Sequence, residues 1–142
     1  MNPIPNQYRD LFERPISVSL ATLMNDGMPQ VQPVWCSFDG THFLVNTEKG
    51  RQKYKNLSRR RIATILAVDP ENDSRWVEIR GKVADETEKG ADEHIDELAK
   101  RYLGVDKYPW NAPGDVRVIF KIAPVRVVTL ESTMPGLDTT TK

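Results

Sequence analysis

The 142-residue chain reads as a mainly β protein, an antiparallel sheet or small barrel with flanking helices. Two observations predict this. Hairpin turn signals, Asn25-Asp26-Gly27 and Asp39-Gly40, join consecutive apolar runs early in the chain. Six or so such runs occur beside only two or three helical patterns. Hairpins in succession do not fit the regular βαβ alternation of a parallel sheet.

The elements follow in order. Pro5 to Arg14 reads as a short helix, with Tyr8, Leu11 and Phe12 at i, i+3, i+4 and Pro5 suited to a first turn. Ile16 to Met24 is rich in β-branched residues and reads as a strand, and Gln30 to Phe38 as its returning partner. Pro33 inside that partner marks an edge, a bulge or a barrel corner. His42 to Thr47 is the third strand. A basic helix of about three turns follows, with Tyr54 and Leu57 facing inward. Ile62 to Val68 is the fourth strand, 70–74 a loop, and Trp76 to Ala84 the fifth strand. Ala91 to Leu103 is an amphipathic helix presenting Ile95, Leu98, Ala99 and Tyr102 on one face. Leu103 to Asp115 is a loop carrying Trp110. Val116 to Leu130 holds the last strand or strands, bent at Pro124, and the polar stretch 131–142 reads as a mobile tail.

The length fits a single domain over residues 1–142. Twenty Lys and Arg balance twenty Asp and Glu, so the net charge is zero. That argues against a general nucleic-acid or membrane-surface binder, which carries a large basic excess. One cysteine, Cys36, excludes an intrachain disulfide and suits a reducing compartment. No apolar run approaches the roughly 18 residues that a membrane helix needs. The N-terminus lacks a signal pattern, so a cytoplasmic location is expected.

The most informative stretch is Thr47 to Arg61. Seven of the thirteen residues from Lys49 to Arg61 are Lys or Arg and none is acidic. A strand that feeds Gly50 and then a basic helix start is a good place to hold a phosphate. Free backbone N–H groups, the helix dipole and cationic side chains all favour an anion there. No catalytic triad or metal cluster accompanies it, so the function is expected to belong to a bound phosphorylated cofactor.

Ala21-Thr22-Leu23, Asp26-Gly27, Pro29-Gln30, Pro33-Val34, Asp39-Gly40, Arg51, Lys53, Asn56-Leu57 and the strand Val77 to Val83 appear in a distinctive order. In that order and spacing the chain resembles the split β-barrel flavoproteins of the pyridoxamine 5'-phosphate oxidase-like superfamily, in the branch that uses the deazaflavin F420. The match covers Pro15 to Val83 well and extends loosely to Val128. The resemblance implies an FMN-binding-type split β-barrel and a homodimer with two cofactor sites at the subunit interface. It implies a hydride transfer between reduced F420 and a small planar unsaturated acceptor, or alternatively an FMN-binding oxidoreductase or a flavin-binding protein of the same fold. Carried over by position, Arg51 and Lys53 hold the cofactor phosphate, with Asn56 in the same motif. Gln32, Pro33, Val34, Asn46 and Thr47 contact the ring or ribityl chain, and Trp76 takes the place of a ring-proximal residue that often comes from the other subunit. The chain departs from the family in two places. The C-terminal Arg/His substrate motif of true pyridoxamine-phosphate oxidases has no counterpart, so that activity is not expected. The acidic-Pro step after the basic helix is replaced by Arg59-Arg60-Arg61.

The remaining reactive side chains have plainer readings. Cys36 is a small strand residue, with no Cys or His pattern to make it a ligand. His42 lies at a strand start and His94 on a solvated helix face. Glu93, Asp96 and Glu97 form an ordinary acidic face. Trp35 and Trp110 are packing residues, Trp110 in a loop able to cover a pocket. A single-stranded nucleic-acid site needs exposed stacking aromatics beside the basic groove, and the basic stretch holds only the inward Tyr54.

Overall fold

The computed structural model describes residues 3–130 and the backbone of 133–135. A 3-10 helix over Asn6–Phe12 opens the chain and buries Leu11 and Phe12. Strands β1 (Val18–Leu23), β2 (Pro29–Val34), β3 (Ser37–Phe38) and β4 (Phe43–Glu48) follow. Helix α1 (Gln52–Arg60) leads to β5 (Ile62–Asp69) and β6 (Asn72–Thr87). Helix α2 (Ala91–Leu103), β7 (Arg117–Thr129) and β8 (Thr133–Pro135) complete the order.

All eight strands belong to one sheet, seven of them in the order β2-β1-β5-β6-β7-β4-β3, with β8 on β7. Every pairing is antiparallel. The two end strands, β2 and β3, are consecutive in the chain and joined only by Trp35 and Cys36. The three steps from Val34 to Ser37 span at most about 11 Å. The ends of the sheet must therefore meet, and the sheet curls into a barrel that stays unpaired between β2 and β3. The mainly β, antiparallel reading is borne out.

The concave face is lined by alternating residues of each strand: Val18 and Leu20, Phe43 and Val45, Ile65 and Ala67, Val77 and Ile79, Phe120 and Ile122. Leu11 and Phe12 join this core, and Leu57 of α1 is fully buried in it. Full burial of one such side chain contributes about 1.5–3 kcal/mol. Tyr54 packs on Phe120 with ring centroids 5.8 Å apart, so α1 faces inward where its periodicity places it.

Strand β6 crosses β7 closely at Gly81. A Cβ there would lie 2.5 Å from Ile122 Cγ2 and 2.8 Å from the Ala123 carbonyl oxygen. The register skips a residue at this point, pairing Arg80 with Arg126 and Gly81 with Pro124. The bend expected at Pro124 is this bulge, within one continuous strand.

Three expectations are corrected. The strand read over Gln30 to Phe38 is two strands that pair with different neighbours, because the barrel turns its corner at Trp35–Cys36. The loop read over 70–74 is a turn at Pro70 and Glu71, and β6 runs through 72–87, longer than Trp76 to Ala84. Asn72 pairs with Asp69 across the turn, and Asp85, Glu86 and Thr87 pair with Lys121, Phe120 and Ile119 of β7, which extends the strand at both ends. Of the stretch 131–142 read as a mobile tail, 133–135 pairs with β7, and the rest lies outside the described residues.

Candidate functional site

The end of β4, the start of α1, the end of β2, helix α2, the loop after it and the first residue of β7 meet around a cavity of about 380 Å³. Pro33, Val34 and Trp35 form one side, Asn46, Thr47 and Glu48 another, and Arg51 and Lys53 a third. Ile95 and Leu98 of α2, Tyr108, Trp110 and Arg117 complete the lining, with Ser17. Gly50, at φ +95°, makes the turn that ends β4 and aims Arg51 and α1 at the cavity. Helix α1 has no side-chain cap and no acidic residue in its first turn, so its N–H groups and dipole are open to an anion.

Arg117 is the organising cation. It is 6% exposed. It pairs with Glu48 at 3.0 Å, donates to Asn46 Oδ1 at 3.2 Å and to Asn111 Oδ1 at 3.0 Å, and lies 4.5 Å from the centre of the Tyr108 ring. Arg51 reaches the same Glu48 at 3.7 Å from a more exposed position. Lys53 differs from both, for it makes no hydrogen bond or ion pair among the described residues. Its ammonium is held below its ordinary pKa, first by burial and then by the charges of Arg51 and Arg117. An unpaired, part-buried ammonium beside two guanidiniums and one carboxylate is a site short of negative charge.

Behind this lining runs a buried polar chain. The Arg117 bond to Asn46 Oδ1 fixes the amide, so Asn46 Nδ2 donates to the Ala91 carbonyl at 2.8 Å and to His94 Nδ1 at 3.1 Å. His94 Nε2 must then carry the proton and donate to Ser37 Oγ at 2.9 Å. His94 was expected on a solvated face. It is buried, and burial drives its pKa down to about 4, with the charge of Arg101 adding to the effect. The helix turns this residue inward beside Ile95 and Leu98, and Asn46 supplies the polar partner that makes burial tolerable.

An aromatic run covers the opposite part of the lining. Trp35 stacks on Tyr102 at 5.2 Å, meets Tyr108 edge-on at 6.0 Å, and Tyr108 meets Trp110 edge-on at 5.5 Å. Asp96 holds this loop by accepting from the Tyr108 N–H at 2.8 Å, a tie that its reading as plain acidic surface misses.

A model of the family described as pyridoxamine 5'-phosphate oxidase matches residues 4–131, nearly the whole chain. The chain belongs to that family. Among solved structures it is similar to an F420 reductase, with 32% identity and a TM-score of 0.78, over 88% of this chain and 98% of that one. It shares its fold with the HupZ protein of Group A Streptococcus at 21% identity and a TM-score of 0.64, covering 93% and 98% of the two chains. It also shares its fold with General Stress Protein 26 of Bacillus anthracis at 15% identity and a TM-score of 0.67, covering 91% and 95%. No curated protein matches the chain. The resemblance to this superfamily and its F420 branch, and the split β-barrel it implies, are borne out.

Within this family frame, six of the nine residues singled out by position line the cavity: Pro33, Val34, Asn46, Thr47, Arg51 and Lys53. Three do not. Gln32 pairs opposite Leu20 within the β1–β2 hairpin. Asn56 is buried and saturated, donating to Thr22 Oγ1 at 3.0 Å and Gln30 Oε1 at 3.3 Å and accepting from Gln52 at 2.8 Å. It pins α1 to the hairpin. Trp76 alternates with buried Val77 and Ile79 and so faces away from the core, opposite Val68. Arg117, Glu48, Trp35, Tyr108 and His94 escaped the sequence reading. One signal was present for Arg117, a lone cation heading the apolar run VIF. Its partner Glu48 sits directly across the β4–β7 ladder, which no local pattern reveals.

Among the described residues no group of His, Cys, Asp and Glu is placed to hold a metal ion. No helix among them is long and apolar enough to cross a membrane.

Proposed function

We propose that this chain is an oxidoreductase that holds F420 in the cavity beside α1 and reduces a small planar unsaturated acceptor. The observation that carries the reading is Lys53, unpaired and part-buried next to Arg51 and Arg117 at an uncapped helix start. Those groups suit a phosphate: the guanidinium gives a fork and the ammonium a point charge. Asn46 and Thr47 suit the polar edge of a ring, and Pro33, Val34 and Leu98 its apolar face. When bound, the cofactor supplies the hydride. The chain's own residues anchor the phosphate, orient the ring and exclude water. No acid–base dyad is required, and the acceptor takes its proton from solvent.

The F420 reductase neighbour supports F420 over FMN. One observation favours FMN. Lys49 is paired with Glu88 at 2.6 Å and Arg61 with Glu86 at 3.2 Å, which leaves fewer cations for the acidic tail of the longer cofactor. A homodimer is part of the proposal. The outer face of the sheet exposes Val31 and Ile62 and carries a groove of about 490 Å³ in which Leu23, Pro29 and Val125 lie beside Arg80, Lys82 and Arg126, an apolar floor with a charged rim that suits contact with a second copy. The expected location remains the cytoplasm.

Fluorescence titration of the purified protein with F420 and, separately, FMN tests the reading. Arg51→Ala/Lys53→Ala is expected to weaken binding by about tenfold or more, the loss of one or two charge-assisted contacts. Binding of FMN alone moves the protein to the FMN branch. Binding of neither cofactor overturns the proposal.

A further inference from the structure

We propose that Lys53 is a self-acylation site for short-chain acyl phosphates, with Arg51 and Arg117 holding the phosphate and the apolar side of the cavity taking the acyl chain. The inference uses the anion site beside α1 and does not depend on which cofactor occupies it.

Three observations meet at this residue. The first is pairing. Lys53 makes no hydrogen bond or ion pair among the described residues, whereas Lys49 pairs with Glu88 at 2.6 Å and Lys107 with Asp96 at 3.9 Å. The second is setting. Lys53 shares the lining of one cavity with Arg51 and Arg117. The single carboxylate among the lining residues, Glu48, is already engaged by Arg117 at 3.0 Å and by Arg51 at 3.7 Å. An amine among cations, with no carboxylate of its own, gives up its proton more readily and becomes a nucleophile. The lowered pKa of Lys53, from burial first and then the charges of Arg51 and Arg117, agrees with this. The third is shape. Pro33, Val34, Ile95 and Leu98 line the same cavity of about 380 Å³, so a phosphate among the cations has room beside it for a small apolar group.

An acyl phosphate matches all three. Its phosphate suits the guanidiniums, and its electrophilic carbon lies one bridging oxygen away from the phosphorus. The Lys53 nitrogen attacks that carbonyl carbon and forms an amide. The bond from the carbon to the bridging oxygen breaks, and the phosphate leaves with the electron pair and with the proton that the nitrogen gives up. No oxidant, reductant or further reactant is needed. Sharing the phosphate between two guanidiniums limits how far it draws the amine back to ammonium. The reaction belongs to the cofactor-free chain, since a bound cofactor's phosphate would take the same cations. Acylation removes the Lys53 charge and so weakens the hold on any anion there.

The test adds acetyl phosphate to the full chain in mildly alkaline buffer and reads each lysine by mass spectrometry. A protease that cuts after Glu releases residues 49–71, which carry Lys49, Lys53 and Lys55 on one fragment. Lys55, exposed on the same helix, is the internal control. Lys53 is expected to acetylate about tenfold faster than Lys55, at a rate that saturates with acetyl phosphate while the Lys55 rate stays linear. Inorganic phosphate should slow Lys53 and leave Lys55 unchanged. Arg51→Ala should slow Lys53 by about tenfold with acetyl phosphate. With acetic anhydride, which carries no phosphate, the same variant should change the Lys53 rate by less than about threefold. A Lys53 rate no greater than that of Lys55 overturns the inference. So does a fast Lys53 that inorganic phosphate fails to slow, or that Arg51→Ala slows equally with both reagents, for that is a reactive amine without phosphate recognition. If Lys53 acetylates as expected while neither F420 nor FMN binds, the cofactor reading falls and the inference stands. If F420 binds and Lys53 stays unlabelled, the inference falls and the cofactor reading stands.

Discussion

Replacing His94 by Gln should flatten the stability of this protein across mildly acidic pH. In the fold His94 is buried and neutral, accepting from Asn46 at 3.1 Å and donating to Ser37 at 2.9 Å. Its pKa is lowered from 6.5 to about 4, chiefly by burial. The unfolded chain therefore binds a proton on this ring as pH falls through 6.5, while the fold refuses it until about 4. Stability depends on pH with the sign of protons bound unfolded minus folded, so it falls as pH falls within this window and levels off below it. From pH 7.5 to pH 4.5 the loss from this one group is about 2.5 kcal/mol. Asp10, Asp39 and Asp69 also have lowered pKa values, but their stabilisation is lost only as pH falls below the ordinary carboxylate value of 3.8, outside the window. The assay is urea unfolding at several pH values between these limits, on the native protein and on His94→Gln. The variant should be less stable near neutrality, through imperfect hydrogen bonds, yet its curve should be shallower by about 2.5 kcal/mol over the window. Parallel curves would refute the buried neutral imidazole.

Three other outcomes are expected. Gly81→Ala forces a Cβ to within 2.5 Å of Ile122 Cγ2 and 2.8 Å of the Ala123 carbonyl, and should cost about 2 kcal/mol in thermal or urea unfolding. Arg117→Met removes the nearer of the two cations on Glu48 and the donor to Asn46 Oδ1, and should cost about 3 kcal/mol. The double variant Arg117→Met/Glu48→Gln should recover part of that loss, and no recovery would contradict the charge argument. Burial pushes the Cys36 thiol up to about 12, so the native protein should not react with a thiol reagent at neutral pH, and labelling should follow unfolding.

The sequence by itself determined the hairpin turns of the barrel and the step from strand to glycine to basic helix that lines the cavity. Asp26-Gly27 and Asp39-Gly40 set the hairpins because few other residues accept the turn geometry. The Gly50–Arg51–Lys53 step was legible because strand, glycine and basic helix start are contiguous. These are local properties, written within a few residues. Tertiary structure alone decided the rest. It split Gln30 to Phe38 at Trp35–Cys36, since that break follows from the two ends of the sheet meeting. It turned His94 inward, because the Asn46 amide that receives the ring lies 48 residues away on β4. It set Arg117 across from Glu48 and under Tyr108, through a ladder joining strands 69 residues apart. A buried charge or imidazole is stable only beside its partner, and when that partner is distant in the chain, only the closed barrel reveals it.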